Sequence, residues 1–309
     1  MNDFKSIQNW GYSYDSTIVY LENLEQSSYV KIDSIGASVE GRAIWMVKVS
    51  EPTLHFETIY RVAIHARTHP NEVQSQWLTQ KIIDILISDS EIAKILRNRV
   101  IFNIVPMYNP DGVELGYNRE NANGIDLERN WFVEEHEPEV SALKKKYYEL
   151  MNSYTPINIM LNMHGDGGAN KRYFVFHHEN GTSIQYTENQ KQFIDFTQQY
   201  FPDGISDWDR FITWVDGNPM VYPESWFWVN YKESVIAITF EEITIPNRFD
   251  SLYTKTANAI LNGIADYLDI RSSVNVDNLS YKISANLGQN YPNPFNPSTI
   301  INYSIPIKS

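Results

Sequence analysis

The stretch Ile59-Tyr60-Arg61-Val62-Ala63-Ile64-His65-Ala66-Arg67-Thr68-His69-Pro70-Asn71-Glu72 decides how the rest of the chain is read. Its first half is rich in β-branched and apolar residues and predicts a strand over 59–65 that ends in polar residues. Residues 72–87 follow, with Val73, Trp77, Ile82, Ile83 and Leu86 on or near one stripe, and predict a helix. Strand, polar turn and helix in direct succession form the unit of an α/β layer fold, and open sheets carry their sites in such turns. Here the turn holds His69 and Glu72, three residues apart and able to converge on one point. Imidazole plus carboxylate is a common zinc pair.

The same alternation extends outward in both directions. Helices are expected over 16–25, with Asp15 or Ser16 as N-cap, and over 138–151, 184–200 and 250–268; strands over 43–49, 100–105, 157–163, 172–176 and 235–241. The expected architecture is α/β, a mixed central sheet flanked by helices. Residues 107–130 read as a long Asn- and Gly-rich loop, and 207–231 as an aromatic segment holding Trp208, Trp214, Trp226 and Trp228. Beyond Ile270 the composition turns to Ser, Asn and Pro, which divides the chain into a catalytic-type domain at 1–270, a linker at 271–285 and a tail at 286–309.

The 309 residues carry 25 Lys and Arg against 38 Asp and Glu, a net charge of −13, with 42% hydrophobic and 14% aromatic residues. Such a chain buries a sizeable core, and with no basic cluster it is unsuited to nucleic acid. Its longest apolar runs fall far short of the roughly 20 residues that span a bilayer. The start, Met1-Asn2-Asp3-Phe4-Lys5, shows no secretory signal. There is no cysteine, so a metal must be held by His, Asp or Glu.

A lone His-x-x-Glu spacing is weak, and His136 to Glu139 repeats it where only a helix start is expected. A third ligand is therefore required. His164 is the best candidate, because Met163-His164-Gly165-Asp166-Gly167-Gly168 leaves the end of a buried strand in a glycine-rich loop. His65 is expected to point into the sheet layer, and His177 and His178 have no acidic partner at ligand spacing. Two histidines and one glutamate leave a fourth position for water, the arrangement of catalytic zinc.

Taken in order, these motifs resemble those of the M14 zinc carboxypeptidases over about residues 16–270. Ile35-Gly36-Ala37-Ser38-Val39-Glu40-Gly41-Arg42 looks like the family's N-terminal signature, and the form of His69 and Glu72 is closest to the cytosolic-carboxypeptidase branch. Asn109-Pro110-Asp111-Gly112, Gly124-Ile125-Asp126-Leu127-Glu128-Arg129-Asn130-Trp131, His164 and Thr239-Phe240-Glu241 match later blocks. The resemblance implies one Zn2+ held by His69, Glu72 and His164, with Glu241 as general base and Arg119 polarising the scissile carbonyl of a peptide C-terminus. It also implies that Arg129 binds the substrate carboxylate and that Tyr222 is the family's mobile tyrosine, with Trp226 lining an apolar pocket. Two residues apart in a strand, Glu241 and Thr239 share the site face while Glu242 points away.

One position departs from the pattern. Where the family has Asn before the carboxylate-binding arginine, this chain has Glu128, a negative charge beside the anion to be recognised. Either Glu128 turns away and Arg129 suffices, or the substrate end is cationic or amidated. A related amidohydrolase or cell-wall peptide hydrolase, and a non-catalytic surface binding protein on the same fold, stay open as alternatives. Leu287-Gly288-Gln289-Asn290-Tyr291-Pro292-Asn293-Pro294-Phe295-Asn296-Pro297-Ser298-Thr299-Ile300 resembles the start of a type IX secretion sorting domain, cut short. It implies a bacterial protein, secreted or at the cell surface, that meets the secretion machinery through its tail.

Overall fold

A computed structural model describes residues 8–54, 59–208, 210–212, 219–245 and 247–271, together with two short strands at 286–287 and 303–304. The chain divides into two compact units, Met1–Ile270 and Arg271–Ser309. In the second, β9 (Asn286–Leu287) pairs antiparallel with β10 (Tyr303–Ser304). The expected linker and most of the expected sorting segment lie outside the described residues.

In the first unit the elements run α1 (Tyr14–Leu24), β1 (Val30–Ala37), β2 (Ala43–Val49), β3 (Tyr60–Ala66), α2 (Val73–Leu86), α3 (Glu91–Arg99), β4 (Val100–Val105), α4 (Pro110–Leu115), α5 (Pro138–Met151), β5 (Ile159–Asp166), β6 (Tyr173–His177), α6 (Ile184–Gln198), β7 (Phe211–Ile212), α7 (Pro223–Tyr231), β8 (Ile236–Ile243) and α8 (Ser251–Tyr267). Among the described residues eight strands form one mixed sheet, in the order β1-β2-β4-β3-β5-β8-β6-β7. The central strands β4, β3, β5 and β8 are parallel, and β1, β2 and β6 bring the antiparallel pairings. The expected mixed α/β architecture is therefore the one found. Among the described residues no helix is long and apolar enough to cross a membrane.

Alternation along the central strands sorts two cores. Val62, Ile64, Leu161, Met163, Ile238 and Phe240 face a layer of α2, α3, α6 and α8. Ala63, Met160 and Ala237 face the other side, where α5, α7 and Trp131 cover the sheet. Strands covered on both faces read as near-continuous apolar runs, which is why the sequence shows them clearly.

Several elements differ from expectation. The first helix begins two residues before the expected 16, because Ser13 Oγ accepts from the Ser16 backbone N–H and caps it. β1 was not expected; its residues alternate between half-buried and exposed and include Lys31, Asp33 and Ser34, which masks an edge strand. α3 was missed for the same reason, a polar helix with Ser90 as its cap. The supposed loop at 107–130 contains α4, capped by Asn109 and closed by Gly116 at a φ of 70°. The aromatic segment contains α7, whose Trp226, Phe227 and Trp228 are all buried, so no single stripe marks it as a helix.

Candidate metal centre

The C-terminal parts of three neighbouring strands lie side by side in register. His65 of β3 lies beside Asn162 of β5, which lies beside Thr239 of β8; one pleat further on, His164 lies beside Glu241. Side chains in one register row point to one face, here the α5 and α7 side. Each polar residue in the first row is met by a partner from the covering elements. His65 Nδ1 is 2.9 Å from the Tyr147 hydroxyl, Asn162 Nδ2 donates to Glu128, and Thr239 Oγ1 donates to Glu224 Oε1 at 2.7 Å. All three strand residues except the part-buried Thr239 are fully buried, so the pairings satisfy groups that water cannot reach.

The second row forms the centre. After β3 the chain bends at Arg67, whose φ of 61° lies in the left-handed region. A buried non-glycine residue holds that conformation only where its surroundings enforce it. Here the Arg67 guanidinium donates to Pro70 O at 2.6 Å and Gln76 Oε1 at 2.7 Å, and Asn109 Nδ2 donates to Thr68 O at 3.1 Å. The bend carries His69 and Glu72 back toward the sheet, with Glu72 at the N-terminus of α2, where the helix dipole favours an anion. His69 Nδ1 is 2.7 Å from Glu72 Oε1, and His164 Nδ1 is 2.9 Å from Glu72 Oε2. The Gly165 backbone N–H also donates to Glu72 Oε2, at 3.1 Å. A Cβ at Gly165 would stand 2.1 Å from Gln74 Nε2, so any larger residue would have to push the Gln74 side chain aside.

One ligand atom from each of His69, Glu72 and His164 lies within 4.8 Å of the other two, with both histidines buried and Glu72 partly so. Their chemistry, two imidazoles and one carboxylate, fits a zinc ion. Burial opposes the charged form of both imidazoles, yet Asp126 and Glu72 outweigh it at His69 and hold its pKa above the ordinary value. Glu128 and Glu72 do the same more strongly at His164. Burial also works against charge on Glu72, and His164 and His69 overcome it, bringing the carboxyl down to about 2. A metal cation would take the place of those protons.

Glu241 stands next to His164 on β8, and burial pushes its carboxyl up to about 7, partly opposed by His164. A group with that pKa gives and takes protons near neutrality. Glu242, one residue on, lies on the opposite face, fully buried against Arg172 at 2.6 Å.

Behind the histidines stand two carboxylates of one turn. Asp126 Oδ1 is 3.2 Å from His69 Nε2, and Glu128 Oε2 is 3.2 Å from His164 Nε2. Asp126 Oδ2 accepts from Arg119 Nε at 2.7 Å and from the Arg129 guanidinium. The two arginine side chains are 41% and 50% exposed, so the turn reaches from the buried centre to the surface. Glu128 does not join them: it is buried, with both carboxylate oxygens accepting from Asn162 at 2.9 and 3.1 Å. Of the two arrangements open at this position, the structure has the one in which Glu128 turns inward.

Tyr222 precedes α7, with the Arg129 guanidinium 5.9 Å from its ring centroid. Trp226, expected to line a substrate pocket, is instead in the core: it is 7% exposed and lies 5.9 Å from the Trp131 ring, because the α7 geometry directs it down onto the sheet. Apolar lining beside Arg129 comes from Phe132, Val133, Met220 and Val221, around a cavity of about 330 Å³. A larger cavity of about 510 Å³ between α1 and α2 touches none of the residues of the centre.

The model of the zinc carboxypeptidase family, peptidase M14, matches residues 17–201. The chain belongs to this family. Over 124 residues it is 36% identical to cytosolic carboxypeptidase 6 of Mus musculus, covering 39% of this chain and 23% of that one. Cytosolic carboxypeptidase 2 of Xenopus tropicalis is 35% identical over 108 residues, 34% of this chain and 11% of its own. The chain thus spans a quarter or less of these curated relatives. Among solved structures, the metallo-carboxypeptidase from Burkholderia cenocepacia superposes with a TM-score of 0.70 at 21% identity, covering 84% of this chain and 70% of its own. Carboxypeptidase A from Helicoverpa armigera does so at 0.61 and 18%, covering 85% and 74%. These two likenesses concern the fold.

In this member of the zinc carboxypeptidase family the motif residues outside the centre act as braces. Asp111 Oδ1 accepts from Ser38 Oγ and Arg42 Nη1, each at 2.7 Å, and Oδ2 from the Glu40 N–H at 2.7 Å, tying the signature at 35–42 to α4. Asn109 then ties α4 to the His69 turn. His136 and Glu139, the second His-x-x-Glu, part company at the start of α5: His136 Nδ1 meets Asn130 O at 2.7 Å, while Glu139 accepts from Asn121 at 3.2 Å. Sequence reading assigned no role to Asp126, Asn162 or Glu224. Asp126 stood inside a quoted motif, but Asn162 sits in an apolar run where only strand alternation could have exposed it, and Glu224 opens the aromatic helix α7, which shows no stripe.

Proposed function

We propose that the protein is a zinc-dependent metallocarboxypeptidase that hydrolyses the C-terminal peptide bond of peptides or proteins. The observation that carries this is the convergence of His69, Glu72 and His164, with Glu241 beside His164 on the next strand. His69, Glu72 and His164 would hold one Zn2+, which when bound supplies Lewis-acid polarisation and lowers the pKa of water. Glu241 takes the proton of the attacking water and delivers it to the leaving amine. Arg119 meets the charge that develops on the carbonyl oxygen, and Arg129 holds the terminal carboxylate by charge-assisted hydrogen bonds. The inward turn of Glu128, held by Asn162 and His164, supports the reading that an ordinary free carboxylate is bound by Arg129. Phe132, Val133 and Met220 favour an apolar terminal side chain.

The reading extends to the whole chain: a catalytic domain at 1–270, a linker, and the beginning of a type IX sorting domain from 286, which would deliver the enzyme to the bacterial cell surface or medium. Its support is the Pro- and Asn-rich tail motif at 287–300.

The test is mass spectrometry of a mixed peptide pool incubated with zinc-loaded protein, beside Glu241→Gln. Stepwise loss of C-terminal residues is expected in the wild type, slowed about 10²- to 10⁴-fold in the variant. Release of internal fragments, or of N-terminal residues, would contradict the reading.

A further inference from the structure

We infer that Glu128 is a positioning residue of the metal centre: its carboxylate fixes the His164 imidazole with Nδ1 turned toward Glu72, where it would hold the ion, and it does not bind substrate. The inference rests on the zinc reading above. An imidazole that ligates through one nitrogen must be held at the other, or neither its tautomer nor its ring orientation is set. Both nitrogens of both histidines are accounted for here. The two Nδ1 atoms face the two oxygens of Glu72, at 2.7 and 2.9 Å. The two Nε2 atoms face carboxylates that stand two residues apart, Asp126 and Glu128, each at 3.2 Å.

The turn that carries this pair is itself fixed. The Glu128 N–H donates to Asp126 Oδ1 at 3.0 Å, so the support of His69 also places the backbone of the support of His164. On the far side Asn162 Nδ2 donates to both oxygens of Glu128, and Asn162 is a fully buried residue of the central strand β5. Asn162 and His164 lie on one face of that strand, so β5 provides the ligand and also holds the ligand's support.

Charge and reach explain why glutamate stands here. A carboxylate accepting the Nε2 hydrogen raises the basicity of Nδ1, where an amide does so less. An asparagine at 128 is one methylene shorter, and its neutral oxygen would not span from the turn to His164 in the same way. The residue departing from the family pattern has thus moved its work from the substrate's terminal carboxylate to the ion, and Arg129 is left to bind the carboxylate.

The experiment uses the full chain and measures zinc affinity by competition with a chromophoric chelator for wild type, Glu128→Ala, Glu128→Gln and Arg129→Ala. KM is measured at saturating zinc, and the visible spectrum of the Co2+-loaded proteins is recorded. Glu128→Ala is expected to weaken zinc binding about 10- to 100-fold and to alter the cobalt spectrum, with a smaller effect on KM. Glu128→Gln keeps the shape and one acceptor oxygen, so it folds even where the alanine variant does not, and its affinity is expected between those of wild type and Glu128→Ala. Arg129→Ala should show the reverse pattern, raised KM with zinc affinity retained. Zinc affinity and cobalt spectrum unchanged in both Glu128 variants, or KM raised with affinity unchanged, would overturn the inference. Failure of the wild type to bind zinc would overturn the metal reading and this inference with it.

Discussion

His69 and His164 are alike in front and unlike behind. Both present Nδ1 to Glu72 within 2.9 Å, yet the carboxylate behind His69 is shared with two half-exposed arginines, while the one behind His164 is sealed against a buried asparagine. The first side of the centre is a boundary: Asp126 touches His69 on one side and the half-exposed Arg119 and Arg129 on the other. The second is a continuation of the sheet, where His65, Asn162 and Thr239 each have a buried partner from the covering layer. One motif of three residues, Asp126 to Glu128, serves both. The difference shows how one centre can be enclosed by buried partners on one side and joined to exposed cations on the other.

The sharpest way to break this comparison is Asp126→Asn. Loss of that charge should weaken zinc about 10- to 100-fold and, in the same protein, raise KM, because Arg119 and Arg129 lose their anchor. Zinc affinity and KM that move separately would show that Asp126 does not link the two. A narrower effect, on one quantity rather than two, belongs to the surface alone. Arg129→Ala should lower kcat/KM for peptides with a free C-terminus roughly 10- to 100-fold, the worth of a charged hydrogen bond, and leave amidated peptides little changed. Equal losses on both would remove the terminal carboxylate from the account.

The smallest effect belongs to the sealed side and appears in acid. Burial pushes His65 down to about 3, so between its ordinary pKa and that value the unfolded chain takes up a proton that the folded one refuses. Stability must therefore fall as pH falls from about 6.5 toward 3, by at most about 1.4 kcal/mol per pH unit from this residue. Denaturant titrations at pH 6.5 and 5.5 should give a shallower loss in His65→Gln than in wild type. An identical slope would mean that His65 is charged in its cavity or that the pocket opens to water.

How legible these features were depended on burial. The central strands and long amphipathic helices stood out because their periods are enforced by cores on both faces, as at Val62 with Ile64 and Leu161 with Met163. β1 and α3 were hidden by polar residues on exposed faces, and α7 by aromatics on every side. Of the centre, His69, Glu72, His164 and Glu241 could be named because each stands in a motif near or just beyond the end of a central strand. The direction of Glu128 could not, since a residue number does not say which way a side chain leaves the 3-10 turn at Leu127–Arg129. Trp226 misled for a related reason: a large aromatic near a site is as well suited to the core as to a pocket.

The most direct measurement is an anomalous difference map, collected at the zinc absorption edge, from crystals of the zinc-loaded protein. A single peak is predicted at about 2.0–2.1 Å from Nδ1 of both His69 and His164, on Glu72. The Nε2 atoms should remain on Asp126 and Glu128. No peak there, or one bound through Nε2 or by other residues, would contradict the account at its centre.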